Sequence, residues 1–165
     1  MRIRPFKPQD AASMTSWFSD EFTLRRWCAG RFSYPLTQRQ LEEYYQQEQQ
    51  RPDSIAMTAL GDDGKPEGHF LLTRIDWAAH TAYLAFVVVE PRLRGKGAGK
   101  QMVGLAMDYA RRFLGVQKVT LRVFANNPGA VRCYEGLGFR QVSSDPAAYT
   151  FDGEAWAGGV MEATL

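Results

Sequence analysis

The chain has 165 residues, enough for one domain with a substantial core and too few for two of ordinary size. Hydrophobic residues make up 45% and charged residues 23%, and no run approaches the roughly 18 apolar residues of a helical membrane span, which excludes that class. The net charge is only +2, so no global field favours nucleic acid or an anionic membrane, and any basic patch must be local.

Ile3 to Phe6 reads as a short first strand. Lys7-Pro8-Gln9-Asp10 turns into a helix, with Asp10 as its cap and Ala11, Met14 and Trp17/Phe18 at helical spacing. Leu24 to Tyr34 reads as irregular and aromatic. Thr37, with Gln40 three residues on, fits a capping box for a second helix whose Leu41, Tyr44 and Tyr45 face inward. Ser54 to Leu60 and Gly68 to Asp76 read as strands either side of a Gly61–Pro66 turn. Thr81 to Val89 is apolar almost throughout, as a central strand covered on both faces would be. Ala98 to Leu114 has the clearest helical period, with Gly115 placed as a C-cap. Val119 to Phe124 alternates as a strand, Gly129 to Leu137 is a short helix opened by Asn126-Asn127-Pro128, and Phe139 starts a sixth strand. The tail around Trp156 and Val160-Met161 supplies a last one. This order predicts a mixed α/β sheet in a single domain over residues 1–165.

The stretch from Val87 to Lys100 carries the chemistry. An apolar strand ends at Val89-Glu90-Pro91, and Gly95, Gly97 and Gly99 then alternate with small and basic residues ahead of a helix. Glycines let a backbone approach an anion, and the unpaired N–H groups of a first helical turn point at it, so the stretch suits a phosphate. A nucleoside-triphosphate loop needs glycine where Arg94 stands and Ser or Thr where Gln101 stands; a dinucleotide fingerprint needs glycine where Lys100 stands. Both fail.

Arg94-x-x-Gly97-x-Gly99 behind that strand resembles the acyl-CoA pyrophosphate loop of the GNAT superfamily of N-acetyltransferases. Asn127-Pro128-Gly129-Ala130-Val131-Arg132-Cys133-Tyr134-Glu135-Gly136-Leu137-Gly138-Phe139 resembles that superfamily's second signature: an Asn, an Ala three residues on, a Tyr seven on, and a closing Gly-Phe. The two stand in the family's order, one helix and one strand apart, and cover about residues 82 to 142.

The resemblance implies a central mixed sheet of about seven strands flanked by about four helices, splayed between strands four and five. It implies acetyl-CoA as co-substrate, whose pantetheine arm enters the splay like an extra strand and meets the backbone of Val87 and Val89. Arg94 and the N–H groups of Gly95, Lys96, Gly97, Ala98, Gly99 and Lys100 would hold the pyrophosphate, and Arg132 would reach the 3′-phosphate or stay solvated. Asn127 would bond the arm or cap its helix, roles the sequence leaves equal. Tyr134 would be the general acid, placed to protonate or hydrogen-bond the leaving thiolate. The Val89 N–H would polarise the thioester carbonyl.

A dedicated base is missing. The strand Thr81 to Val89 holds no acid, which leaves Asp20, Glu21, Asp76, His80 or ordered water. The acceptor region of the family falls on Trp17, Phe18, Phe22, Trp27, Phe32 and Tyr34 with Asp20 and Glu21, an aromatic and partly acidic set that would suit a cationic amine. The resemblance therefore implies acetyl transfer to a small primary amine or amino-acid-like acceptor. The alternatives are acetylation of a protein or peptide N-terminus, and a non-catalytic acyl-CoA-binding module.

Cys28 and Cys133 stand far apart, and with only His69 and His80 they form no disulfide framework or zinc pattern, so no metal is expected. Met1-Arg2-Ile3-Arg4-Pro5 lacks the apolar core of a signal peptide, which gives the expectation of a cytoplasmic protein. No nucleic-acid or membrane partner is expected; a homodimer is possible for a domain of this size.

Overall fold

A computed structural model describes residues 1–165. Seven strands form one sheet in the order β1-β2-β3-β4-β5-β7-β6, spanning Arg2–Pro5, Ile55–Leu60, Pro66–Asp76, Thr81–Val89, Lys118–Phe124, Arg140–Phe151 and Glu154–Thr164 for β1 to β7. Helices α1 (Ala11–Met14), α2 (Glu21–Cys28), α3 (Gln38–Gln49), α4 (Ala98–Leu114) and α5 (Pro128–Glu135) cover its two faces. All strand pairs are antiparallel except β4 with β5. This is the expected mixed α/β architecture, with five helices where about four were expected.

Two apolar layers hold the sheet. On one face α4 buries Met102, Val103, Ala106 and Ala110 against Phe70, Leu72, Leu84, Val119 and Leu121. The 17-residue helix reads so clearly because its stripe repeats at three and four and Gly115 closes it in the left-handed conformation, at φ 68°. On the other face Phe6, Met14, Leu24, Leu41 and Tyr44 pack on Ala56, Leu71 and Val88. β4 is therefore apolar on both faces, as its sequence implied.

β4 has one irregularity that sets up the site. His69 pairs with Val88 but Leu71 pairs with Ala85, so β4 carries one extra residue there. Phe86 takes a left-handed φ of 50°. This bulge puts Ala85 and Phe86 on the α2–α3 side together and returns Val87 and Val89 to the α4 side. The Glu90 N–H donates to Glu67 O at 2.8 Å across to β3. By alternation Val88 faces β3, while the backbone groups of Val87 and Val89 face the opposite edge. β5 does not fill that edge: it pairs with β4 only from Thr81↔Lys118 to Tyr83↔Thr120. Beyond Tyr83 the two parallel strands part, as the resemblance implied.

Three local expectations are corrected. Leu24 to Tyr34 is not wholly irregular, because α2 runs from Glu21 to Cys28. Asp20 caps it by accepting from the Thr23 N–H at 2.7 Å, and Ala29 ends it at φ 47°. The first helix is a single α-turn between two 3-10 turns, Pro8–Asp10 and Thr15–Trp17. Asp10 does not cap it. Its carboxylate, 2% exposed, turns back to accept from Arg4 Nη1 and Nη2 at 2.7 and 2.8 Å, the Lys7 N–H at 2.9 Å and Thr58 Oγ1 at 2.7 Å. The bond to Lys7 N–H does pair a cap with its third helical residue, one turn earlier than expected.

Candidate functional site

Where β4 and β5 part, a cleft of about 890 Å³ opens. Tyr83 to Val89 form one wall, and Arg122 to Phe124 with α5 form the other. The Arg94–Lys100 loop closes one end. Trp27 and Phe18 roof the α2 side, and Gly158, Gly159 and Val160 of β7 contribute to the floor.

The loop is built around backbone that only glycine adopts readily. Gly95 and Gly97 sit at φ 73° and 85°, with nothing within 4 Å of where a Cβ would be. Torsion, not space, requires glycine there. Gly97 is the N-cap of α4 and offers no side chain to satisfy the helix's first N–H groups, which leaves them open to an anion. Gly99 faces the cleft, where a Cβ would meet only Cys133 Sγ at 3.8 Å. The space beyond is free for a ligand to approach the backbone.

The loop's side chains divide. Arg94 donates to Trp17 O at 2.7 Å and Val89 O at 3.2 Å, so its guanidinium ties the loop to the first helical segment and to the end of β4. Lys100 lines the cleft, its ammonium 3.4 Å from where a Cβ on Gly136 would stand, at the C-terminal end of α5. Lys96 and Ala98 do not line the cleft. They lie on the loop's other side, in a separate cavity of about 360 Å³ with Asp62 and Glu67. The Lys96 N–H is already bonded to Leu93 O at 3.3 Å, so the expected run of free donors is interrupted there.

α5 brings Asn127, Arg132 and Tyr134 to the opposite wall. Asn127 Oδ1 accepts from the Ala130 N–H at 3.3 Å, so the capping role is realised, and its amide nitrogen remains available to the cleft. Tyr134 is buried against Phe139, with ring centroids 5.7 Å apart. Burial pushes its phenol well above the ordinary tyrosine value, with smaller upward contributions from Cys133 and Tyr83. It is a neutral hydrogen-bond donor at any physiological pH.

Four residues weighed as bases do not reach the cleft. Glu21 is paired with Arg25 at 2.7 Å, Asp20 is spent on its cap, and Asp76 accepts from the N–H groups of Ala78 and Ala79. His80 is exposed and bonded to Gly115 O at 3.0 Å. The acids that do line the cleft are Glu48 and Asp145, from the end of α3 and from β6. Glu48 lies beside Ser54 and Arg51, and Asp145 accepts from the Ala147 N–H. Of the expected aromatics only Phe18 and Trp27 line it; Trp17 and Phe32 are core, and Phe22 and Tyr34 are exposed. Gly158-Gly159 was also missed, although paired glycines inside a strand pattern signal close backbone approach. A Cβ on Gly159 would collide with Ser143 O.

A family model described as the acetyltransferase (GNAT) family matches residues 11–139. The uncharacterised N-acetyltransferase YycN of Bacillus subtilis is 45% identical over 56 residues, 34% of this chain and 35% of that protein. Spermidine N(1)-acetyltransferase of Vibrio cholerae is 36% identical over 53 residues, covering 32% and 31%. Mycothiol acetyltransferase of Nocardiopsis dassonvillei is 30% identical over 115 residues, covering 67% and 33%. The matches thus span about a third of the length of these curated relatives. The solved spermidine N-acetyltransferase of Vibrio cholerae, in complex with CoA and spermine, superposes with a TM-score of 0.85 over 99% of this chain and 94% of that one. At 19% identity that likeness carries the fold alone.

Proposed function

The chain belongs to the acetyltransferase (GNAT) family, and on that premise we propose that it transfers an acetyl group from acetyl-CoA to the primary amine of a small molecule by direct attack. The observation that carries the reading is the parting of β4 and β5 after Tyr83↔Thr120, beside a helix start whose N-cap is glycine. The parted edge offers the Val87 and Val89 backbone to an extended amide-bearing arm, and the helix start offers N–H groups to a pyrophosphate. These two features lie in one cleft with Tyr134. The CoA seen in the fold neighbour fits the same reading.

The acceptor nitrogen attacks the thioester carbonyl carbon, a C–N bond forms, and the C–S bond then breaks. Charge developing on the carbonyl oxygen is met by the Val89 N–H. The departing sulfur takes a hydrogen bond or proton from Tyr134, and the nitrogen's surplus proton leaves to water. Gly97, Gly99 and the α4 terminus hold the donor in place, so that attack is effectively intramolecular.

Release of CoA from acetyl-CoA, followed over a panel of small primary amines and one N-terminal peptide, tests the proposal. Release with at least one small amine is expected. Release with the peptide alone would transfer the activity to protein N-termini. Binding of acetyl-CoA without release by any member would leave a binding module.

A further inference from the structure

The charge of the cleft was not legible in the sequence. Eight of its lining side chains are basic and two are acidic. Arg94, Lys100 and Arg132 stand at the loop and α5, where a pyrophosphate and 3′-phosphate would lie. That leaves five arginines on the rest of the wall, against Glu48 and Asp145. Three of the five are engaged: Arg26 with Asn126 O, Arg31 with Gln47, and Arg51 with Asp53 and Glu48. Arg74 and Arg122 make no ion pair and no side-chain hydrogen bond.

Those two arginines lie near Tyr83, at the closed end of the splay. Arg122 lies on β5 two residues past Thr120, the last residue paired with β4. Arg74 lies on β3 at φ 51°, where the register to β4 shifts. That bulge puts Arg74 on the same side as Thr73, with Leu72 and Ile75 buried on the other. The Arg74 guanidinium sits over the Tyr83 ring, 5.0 Å from its centroid. Burial raises the Tyr83 phenol, and Arg122 and Arg74 both oppose that rise, so both guanidinium charges are felt at one hydroxyl. A second observation points to a ligand there. Thr73 lines the cleft, and its Oγ1 is buried, with the residue 5% exposed, and has no hydrogen-bond partner. A buried hydroxyl left unpaired is costly, and a bound acceptor atom would relieve it.

We infer that Arg74 and Arg122, with Thr73 and Tyr83, form an oxyanion-binding subsite, and that the acceptor amine carries a carboxylate or phosphate that docks there. The inference rests on the reading of the cleft as an acyl-transfer site. Two unpaired guanidinium groups with two hydroxyls supply the forked donors that such a group accepts. A polycation finds no free acid: Glu48 is held by Ser54 and Arg51, and Asp145 by Ala147.

Matched amines test this: O-phosphoethanolamine against ethanolamine, and β-alanine against propylamine, with spermidine as the polycation. In turnover, an anionic member is expected to have the higher kcat/KM by about 10- to 100-fold, the worth of one or two charge-assisted hydrogen bonds, carried mainly by KM. Arg74→Gln and Arg122→Gln should each erase most of that preference while acetyl-CoA affinity stays unchanged. Equal or better use of ethanolamine, propylamine or spermidine overturns the subsite, as does a preference that survives both substitutions. Calorimetry with the amines alone reads the subsite without any acyl donor. Saturable binding of an anionic amine, lost in the Arg74→Gln/Arg122→Gln double variant, supports it; no binding by either anionic amine overturns it. Failure of acetyl-CoA to bind would instead remove the acyl-transfer reading and leave that calorimetric outcome standing by itself.

Discussion

Tyr134→Phe is expected to lower turnover about 10²-fold and to leave acetyl-CoA affinity within about a factor of two. The ring is packed against Phe139 and the α4-facing core, and Phe preserves that volume, so the substitution removes only the hydroxyl. The size of the effect follows from acidity. A thiol has a pKa near 8.5 and an unperturbed tyrosine one near 10. Burial pushes Tyr134 further up, so complete proton transfer to the leaving thiolate is uphill by more than about 2 kcal/mol. Hydrogen bonding to the sulfur is then the main contribution, at the lower end of the range for acid catalysis. The pH profile carries the same signature: no loss of kcat from ionisation of Tyr134 should appear below about pH 10. Turnover unchanged in the Phe variant would remove this role, and an alkaline limb below that pH that the variant abolishes would contradict the upward shift of the Tyr134 phenol.

Asp10→Ala is expected to lower global stability by about 3 to 5 kcal/mol, read as a fall in the urea midpoint with little change in slope. The substitution strands the half-buried Arg4 guanidinium and the buried Thr58 hydroxyl, which outweighs any relief from burying one charge fewer. Burial alone would raise the Asp10 carboxyl, but Arg4, Thr58 and the Lys7 N–H outweigh it and hold it below the usual carboxylate range. Its contribution is therefore complete above about pH 4 and is lost as the pH falls further, through its folded value. His69, paired with Thr58 across the sheet, acts earlier in acid. Its ring is fully buried, bonded to the Tyr44 hydroxyl at 3.1 Å, and burial lowers its pKa from 6.5 to about 3. Between those values the unfolded chain takes up a proton that the folded one refuses, so stability should fall by up to about 1.4 kcal/mol per pH unit. His69→Gln should flatten that limb. Equal stability at pH 7.5 and pH 4.5 would contradict the His69 assignment, and an unchanged urea midpoint in Asp10→Ala would contradict that of Asp10.

What could be read from sequence was what depends on neighbours along the chain. α4 declared itself through its stripe and Gly115, and α3 through Thr37, whose hydroxyl accepts from the Gln40 N–H at 3.3 Å. The glycine loop and the Asn127–Tyr134 segment declared themselves through spacing. α2 was hidden because Phe22 and Trp27, on its exposed and cleft sides, blur the period set by Leu24 and Cys28. Asp10 looked like a cap because Thr58, its partner 48 residues away, is invisible locally. The charge of the cleft was misjudged because α2 itself went unread. Asp20 and Glu21 are near the right helices in sequence, but their partners Thr23 and Arg25 are on α2 itself. Arg74 reaches the cleft only through a bulge that breaks strict alternation, and Arg122 only because β5 leaves β4 after three paired residues.

The central claim is that the parted strands and the glycine helix start hold acetyl-CoA. Calorimetric titration of acetyl-CoA into the wild-type chain tests it most directly. One site per chain is expected, with saturation in the micromolar range and weakened binding in a Gly99→Glu variant, whose carboxylate would enter the space in front of the α4 terminus. No heat of binding at high micromolar acetyl-CoA, or binding that Gly99→Glu leaves intact, would contradict the account.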